Sequence, residues 1–169
     1  VKPLAHRVLW ADGPWMVTTD GLFRNGQTLH SFTSATSIAC GRGDYLGVAL
    51  SDGSVQVFRD GILMREHSGL PVAPAALCLN EKGECLIGGW LLPDGIGSAI
   101  SDLNGEVIFK SDQVIRCLAW WNGQLCLGLG NGEIAIFTED SLVDGKRVMA
   151  EIRRVKVGRE PVSQLLVHG

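Results

Sequence analysis

An internal repeat constrains the fold of this chain more than any other feature of its sequence. Residues 45–60, YLGVALSDGSVQVFRD, align without a gap with residues 124–139, QLCLGLGNGEIAIFTE, which begin 79 residues later. Residues 85–102 fill the same pattern between these two copies with a slightly longer turn, and residues 15–26 give a shortened fourth copy. The period of about 40 residues predicts an array of about four equivalent supersecondary units.

The cysteines support the same period independently. Cys40, Cys78 and Cys117 are spaced 38 and 39 residues apart, and each lies in a short apolar run. These runs lack the 3.6-residue periodicity of a helix, and Asp-Gly or Asn-Gly pairs separate them. Because Asp and Asn tolerate left-handed backbone and Gly adopts it freely, the pairs predict tight turns between strands. Short strands and such turns at this period are typical of a β-propeller.

Each unit is predicted to form one blade of four antiparallel strands, named a to d in chain order. The predicted blades span residues 5–32, 35–68, 74–111 and 114–157. Within them, the first a strand is predicted at residues 6–10, the b strands near residues 15–18, 45–50, 85–91 and 125–129, and the last c–d turn at residues 144–145. The fourth d segment, near residues 147–155, is predicted as a strand, although Val148, Ile152 and Val155 also fit one face of a helix. Residues 161–167 resemble the first strand of a further blade. We therefore expect one all-β segment over residues 1–169, a propeller or a partial propeller.

Four blades and one additional first strand leave an open sheet edge. An open edge is a site for pairing with other chains, and propellers normally hide it by closing the ring. Three arrangements fit the sequence. The chain is part of a longer propeller, it pairs with a second copy to complete a ring, or it closes alone as a four-bladed ring.

Two of the blades resemble WD repeats. Residues 52–58, DGSVQVF, are similar to the D-G-x-V-x-V-W-D stretch of that family, with Phe58 in the Trp position, and residues 131–138 depart from it in the same way. The Gly-His dipeptide of the family is missing, and His30 and His67 are its nearest substitutes. The chain thus resembles a propeller of degenerate WD-repeat (WD40-like) type, in which we do not expect the hydrogen-bonded His-Asp-Trp tetrad of the family.

This resemblance implies a rigid platform for multiprotein complexes. We expect a non-enzymatic protein–protein interaction scaffold that uses its loops, an aromatic corner and the open edge. Its partners would be other proteins or a second copy, and no cofactor is implied. The alternative is a propeller whose axial channel binds a small molecule or catalyses a reaction. The predicted a strands disfavour that alternative, because they carry mostly small or apolar residues, with Arg116 the exception.

Motifs for other kinds of chemistry are absent from the sequence. It contains no phosphate-binding G-x-x-x-x-G-K-[ST] loop, no H-E-x-x-H motif, no Cys/His metal spacing and no G-x-S-x-G nucleophile elbow. Asp20, Asp52 and Asp94 recur at predicted turns, where a structural role explains them. A formal net charge of −3 makes nucleic acid an unlikely partner class.

Composition also bears on compartment. No apolar run reaches the 18 or so residues of a membrane helix. The five cysteines form no C-x-x-C pair and lie within apolar runs, which indicates free buried thiols. Free thiols suit a reducing compartment, so we expect the cytoplasm or the nucleus.

Tryptophans supply the first set of candidate protein-binding residues. Trp10, Trp15, Trp120 and Trp121 flank predicted a–b turns, which lie on one face of a propeller. Aromatic residues on a rigid surface bury a large area at low entropic cost. Packing between neighbouring blades is the alternative role. Trp120 and Trp121 form the better candidate. Adjacent strand residues point in opposite directions, so we expect at least one of the two rings to be exposed.

A basic segment supplies the second set. Residues 146–160 carry six Lys or Arg residues against two Glu residues, a local charge of +4. Arg153 and Arg154 at its centre are the candidates. The segment is either the solvated face of an outer strand or a docking site for an acidic protein segment.

Overall fold

The chain is all-β. The structure, a computed structural model, describes residues 7–143 and 146–166, and within those ranges it contains sixteen strands and no helix. The strands are β1 Val8–Asp12, β2 Trp15–Thr18, β3 Gly21–Arg24, β4 Gln27–Ser31, β5 Thr36–Arg42, β6 Tyr45–Leu50, β7 Val55–Arg59, β8 Ile62–His67, β9 Val72–Leu79, β10 Cys85–Leu91, β11 Ser98–Asp102, β12 Val107–Ser111, β13 Ile115–Trp121, β14 Gln124–Leu129, β15 Glu133–Val143 and β16 Lys146–Lys156.

The strands form four separate sheets of four. Each sheet contains four consecutive strands whose spatial order follows the chain, and every neighbouring pair is antiparallel. We call the sheets blades 1 to 4. The prediction of four-stranded antiparallel blades is therefore confirmed. Lys146–Lys156 is a strand paired with β15, so the helical alternative for this segment is wrong.

The first strands of the blades lie side by side. β1 contacts β5, β5 contacts β9, and β9 contacts β13. β1 and β13 lie at the two ends of this series. Within the described residues, they do not pack against each other as the neighbouring first strands do. Blades 1 to 4 thus follow one another in chain order, each packed on the next.

Hydrophobic clusters fill the junctions between blades. Alternate residues of a strand point to opposite faces, so each blade contributes one set of side chains to each junction. At the junction of blades 2 and 3, Val55 and Val57 share a buried cluster with Leu77 and Ile87. At the next junction, Gly88 leaves room for Ile115, since a Cβ on Gly88 would lie 2.9 Å from Ile115 Cγ2. The burial of apolar side chains in these junctions stabilises the series of blades.

Polar side chains close the turns. The Asp52 carboxylate accepts hydrogen bonds from Ser54 N–H at 2.9 Å, Ser54 Oγ at 2.6 Å and Ser34 Oγ at 2.7 Å. Gly53, which follows Asp52, has a φ of +86°. The hydrogen bonds, first those from Ser54, lower the pKa of Asp52 because they favour the ionised form. Asp52 therefore has a structural role in its turn.

A few strand bounds differ from the predicted ones. β1 ends at Asp12, two residues beyond the predicted end, because its pairing with β2 continues to Asp12 opposite Trp15. His6, at the predicted start of this strand, and the turn predicted at residues 144–145 lie outside the described residues.

Candidate protein-binding site

Blade 4 has an apolar face that points away from blade 3. In β14, Leu125, Leu127 and Leu129 belong to the buried cluster shared with blade 3, so Cys126 between them points to the other side. Ile136 pairs directly with Cys126 across the sheet and therefore lies on the same side. We call this side the end face. It is formed by Ala119, Trp121, Cys126, Ile134 and Ile136, which line a cleft of about 380 Å³ together with Leu165 and Leu166.

The repeat shows how unusual the exposure of the end face is. Ile134 and Ile136 occupy the positions of Val55 and Val57 in the internal alignment. Val55 and Val57 are 0% and 2% exposed, because blade 3 covers them. Ile134 and Ile136 are only partly buried. The same sequence pattern is thus fully covered in blade 2 and only partly covered in blade 4.

The connection that follows β16 returns toward the centre of the blades. Val157 and Gly158 N–H both donate to the Gly132 carbonyl in the b–c turn of blade 4, at 3.0 and 3.3 Å. Val162 N–H then donates to the Leu129 carbonyl at 3.1 Å. These contacts carry the chain from the outer strand of blade 4 to its inner strands.

The connection between blades 1 and 2 follows the same course. Phe32 N–H donates to the Asp20 carbonyl in the b–c turn of blade 1 at 2.9 Å. Thr36 N–H, at the start of β5, donates to the Thr19 carbonyl at 2.8 Å. Both connections thus run from the outer strand of a blade past its b–c turn to the end of its second strand, although the acceptor residues are not the same positions of the repeat.

Residues 161–166 lie against β13 and β14. The Cys117 thiol donates to the Val162 carbonyl at 3.3 Å, and a Cβ on Gly128 would lie 2.7 Å from Val162 Cγ1. Leu165 reaches the cleft of the end face beside Ala119. The structure assigns no strand to residues 161–166, because they have no hydrogen-bonded ladder with a neighbouring strand. Val167, at the end of the predicted strand, lies outside the described residues.

The tryptophan pair is divided between two environments. Trp120 is 9% exposed and belongs to the cluster between blades 3 and 4. Trp121 points to the end face and is 43% exposed. Of this pair, Trp121 is available to a partner.

The other two candidate tryptophans pack between blades 1 and 2. A Cβ on Gly41 would lie 2.1 Å from Trp10 Cζ2, so the Trp10 ring rests directly on the backbone of β5. Trp15 packs against Gly61 of blade 2 and lies under the Arg24 guanidinium, whose central carbon is 4.8 Å from the ring centroid. Both rings thus pack between neighbouring blades, which is the alternative role given above for the tryptophans. That Trp10 and Trp15 bind a partner remains a prediction.

The two candidate arginines also have different surroundings. Arg154 donates to Glu151 at 2.7 and 2.8 Å and to Glu133 at 3.4 Å. These bonds lower the pKa of Glu151 and raise that of Arg154, because the ion pair favours both charged forms. Arg153 is exposed and pairs with Ile136 in the β15–β16 ladder, which places it at the outer margin of the end face. Only Arg153 therefore adjoins the apolar cleft.

Two of the cysteine thiols, those of Cys40 and Cys117, are only weakly acidic in this environment. Burial raises the pKa of Cys40 to about 12 and that of Cys117 to about 11, although Arg116 is the sequence neighbour of Cys117. A thiol with such a pKa is almost fully protonated near neutral pH and is a poor nucleophile. The described residues also include no group of His, Cys, Asp and Glu side chains placed to hold a metal ion.

Inner strands of blades 2 to 4 enclose a small axial cleft of about 200 Å³. Its lining is mostly apolar or small, and it includes Arg42 at the end of β5. The Arg42 guanidinium donates to the Trp120 carbonyl at 3.0 Å and forms an ion pair with Glu81 at 3.2 Å. Arg42 thus joins three blades. Arg42 is not among the residues predicted from the sequence, because an Arg at a strand end carries no local signal for such a contact.

Comparisons with known proteins bear on the fold. No protein-family model and no curated protein sequence matches the chain. Many solved structures match, and these include three that match at low sequence identity. The computationally designed protein Ika8 matches with a TM-score of 0.63 and 18% identity over 96% of this chain and 52% of Ika8. Sqt1 of Saccharomyces cerevisiae matches with a TM-score of 0.64 and 14% identity over 92% of this chain and 47% of Sqt1. KlHsv2 with loop 6CD replaced by a Gly-Ser linker matches with a TM-score of 0.62 and 14% identity over 89% of this chain and 58% of KlHsv2.

The comparisons establish the fold class. These structural neighbours are β-propeller proteins, so the prediction of a propeller or partial propeller is confirmed. The chain spans about half the length of these three chains. Among the described residues, the structure has no helix long and apolar enough to cross a membrane.

Proposed function

We propose that this chain is a non-enzymatic scaffold for protein–protein interaction, of degenerate WD-repeat type, which binds its partner through the end face of blade 4. The observation that carries the proposal is the exposure of this face, whose counterpart on blade 2 is buried. Trp121 is 43% exposed and Leu166 is 72% exposed beside an apolar cleft of about 380 Å³. Exposed apolar surface that is rimmed by polar residues is typical of protein interaction sites.

The chemistry of the end face suits a protein partner. Trp121 offers a large rigid ring at the margin of the cleft, and such rings dominate the binding energy of many interfaces. Ile134 and Ile136 form the apolar floor, and Arg153 contributes a cation at the outer margin. An apolar centre with a polar margin is the usual composition of a protein–protein interface.

The axial cleft favours the scaffold over catalysis. Its volume of about 200 Å³ is below the range of about 300–1,000 Å³ that is usual for small-molecule sites. The Arg42 guanidinium in its lining is bound to Glu81 and to the Trp120 carbonyl. We propose the cytoplasm or the nucleus as the compartment, because the free thiols suit a reducing environment.

Affinity capture with matched tryptophan variants tests this function. Trp121→Ala and Trp90→Ala remove rings of equal exposure, 43% in both cases, from blades 4 and 3. Tagged wild-type and variant chains are used to capture proteins from a lysate of the source cells, and the captured proteins are quantified by mass spectrometry. We expect Trp121→Ala to reduce a specific partner at least tenfold and Trp90→Ala to leave it unchanged. Equal capture by all three chains, with unchanged melting temperatures, would refute the assignment of the end face.

A further inference from the structure

A polar cleft opens where the a–b turns of blades 2, 3 and 4 meet, and we call it the turn cleft. It is lined by Arg42 of blade 2, by residues 80–82 of blade 3 and by Trp120, Asn122 and Gly123 of blade 4. Its volume of about 430 Å³ lies within the range of about 300–1,000 Å³ that is usual for small-molecule sites. Arg42 and Trp120 also line the axial cleft, so the two clefts adjoin at these residues.

The Arg42 guanidinium is only partly satisfied. An arginine presents Nε–H and one Nη2–H along the same edge, which matches two oxygens of a carboxylate or a phosphate. In Arg42, Nη2 donates to a single oxygen of Glu81 at 3.2 Å, and Nη1 donates to the Trp120 carbonyl at 3.0 Å. Nε–H is buried and has no acceptor within residues 7–143 and 146–166. Because a buried donor without an acceptor is unfavourable, this edge is suited to a group that offers two oxygens.

Glu81 holds its place on this edge weakly. Its side chain is 83% exposed and reaches Arg42 with one oxygen only. Exposed ion pairs contribute little to stability, because water solvates both charges. An anion that accepts from both Nε–H and Nη2–H can therefore displace the Glu81 carboxylate toward solvent.

The turn that carries Glu81 also supplies a second cation. Asn80 Oδ1 accepts hydrogen bonds from Lys82 N–H at 2.9 Å and from Glu84 N–H at 3.0 Å, which fix the backbone of the turn. Lys82 lines the turn cleft and forms no ion pair within the described part of the chain. When Glu81 turns outward, the charged groups that remain in the lining are the cations Arg42 and Lys82.

We propose that the turn cleft is a binding site for a small anion that carries a carboxylate or a phosphate group. Two oxygens of this group accept from Nε–H and Nη2–H of Arg42 in place of Glu81, and the guanidinium turns toward the cleft so that Nε–H becomes accessible. Lys82 balances the remaining charge of the anion. This site goes beyond the scaffold function and shares no residue with the end face, so its failure would leave the scaffold unaffected.

Two small anions serve as probes of the turn cleft. Malonate presents carboxylates and inorganic phosphate presents a phosphate, and sodium chloride at the same ionic strength controls for the screening of charges. Affinity is measured by isothermal titration calorimetry. The contact itself is measured by NMR from the Nε–H resonance of Arg42, which is assigned by its absence in Arg42→Lys. We expect at least one of the two probes to bind and to shift this resonance, and the probe that binds identifies the group.

Three variants test which residues hold the anion. Arg42→Lys should weaken binding at least about tenfold, because an ammonium group cannot donate two parallel hydrogen bonds along one edge. Glu81→Gln should tighten binding about two- to fivefold, because it removes the charge that competes for this edge. Arg59→Lys is the matched control and should leave binding unchanged. Arg59 is an exposed arginine of the same blade, and its guanidinium carbon lies 5.4 Å from the centroid of the Tyr45 ring.

Glu81→Gln keeps the proposal testable even if Arg42→Lys does not fold, because Glu81 is exposed. The proposal is wrong if neither probe shifts the Arg42 Nε–H resonance more than sodium chloride does. It is also wrong if Glu81→Gln weakens binding, or if Arg59→Lys weakens it as much as Arg42→Lys. If the resonance shifts only when a captured protein is bound, the anionic group belongs to that protein and the small-molecule site is wrong.

Discussion

The most informative experiment compares the stability cost of the same substitution at two equivalent positions of the repeat. Val57 and Ile136 occupy the same position in blades 2 and 4, but Val57 is 2% exposed and Ile136 is only partly buried. Val57→Asp and Ile136→Asp therefore place the same carboxylate on equivalent faces. Only the face of blade 2 is covered by a neighbouring blade.

The structure gives different magnitudes for the two changes. Val57→Asp loses the burial of an apolar side chain, worth about 1.5–3 kcal/mol, and leaves a carboxylate in an apolar junction. Together these effects should lower the free energy of unfolding by at least about 4 kcal/mol. Ile136→Asp should cost about 1 kcal/mol, because water reaches the end face and solvates the charge.

Urea unfolding followed by circular dichroism measures the difference. We expect Val57→Asp to be at least about 3 kcal/mol less stable than Ile136→Asp, which corresponds to a melting temperature lower by about 6–12 °C for a chain of this size. Val57→Ala and Ile136→Ala separate the loss of apolar contacts from the effect of the charge. Equal costs for the two Asp variants would refute the conclusion that the end face is open.

Three other predictions test the packing and the electrostatics. Phe58→Ala should cost about 3–5 kcal/mol in urea unfolding, because the ring is fully buried and contacts two other aromatic rings; a cost below about 1 kcal/mol would contradict the packing of blades 1 and 2. Cys40 and Cys117 should resist iodoacetamide at pH 8 in the native chain and react after unfolding, and rapid native labelling seen by mass spectrometry would contradict the raised pKa values. The pKa of Asp52 is lowered in the fold, mainly by Ser54, so the ionised carboxylate stabilises the fold above about pH 4, and this stabilisation is lost as the pH falls through the pKa of the folded state. Asp52→Ala should therefore flatten the acid side of a plot of stability against pH, and an unchanged slope would refute this.

Turn chemistry and alternation made most of the fold predictable from the sequence. The predicted b strands at residues 15–18, 45–50 and 85–91 have the bounds of β2, β6 and β10. Asp-Gly and Asn-Gly pairs determine where a strand must reverse, and a period of two determines which residues share a face. Both rules depend on local sequence alone, which explains their success here.

The candidate site was less predictable, because exposure depends on what packs against a strand. Residues 134–136, Ile-Ala-Ile, and residues 55–57, Val-Gln-Val, have the same alternation, yet only the second pair of β-branched residues is covered. The tryptophans illustrate the same limit. Trp121 and Trp10 both flank a–b turns, but Gly41 provides a flat backbone surface for Trp10, and no equivalent neighbour within residues 7–143 and 146–166 covers Trp121.

A glycine in blade 4 accounts for one further difference between blades 2 and 4. Gly128 is the residue on which Val162 rests, and its repeat-equivalent in blade 2 is Ala49, which is fully buried under blade 3. A Cβ at position 128 would meet the Cys117 thiol and Val162, so glycine leaves the room in which residues 161–166 lie against blade 4. Gly128→Val should therefore displace this segment without disturbing the core that blade 4 shares with blade 3.

Oxidative footprinting of the tryptophans tests the central claim most directly. The free chain and the complex recovered by affinity capture are exposed to hydroxyl radicals, and the oxidation of each tryptophan is measured by mass spectrometry. In the free chain, Trp121 should be oxidised as fast as Trp90 and faster than the buried Trp120, and in the complex Trp121 alone of these three should become protected. Oxidation of Trp121 as slow as that of Trp120 in the free chain, or unchanged in the complex, would contradict an open end face that binds the partner.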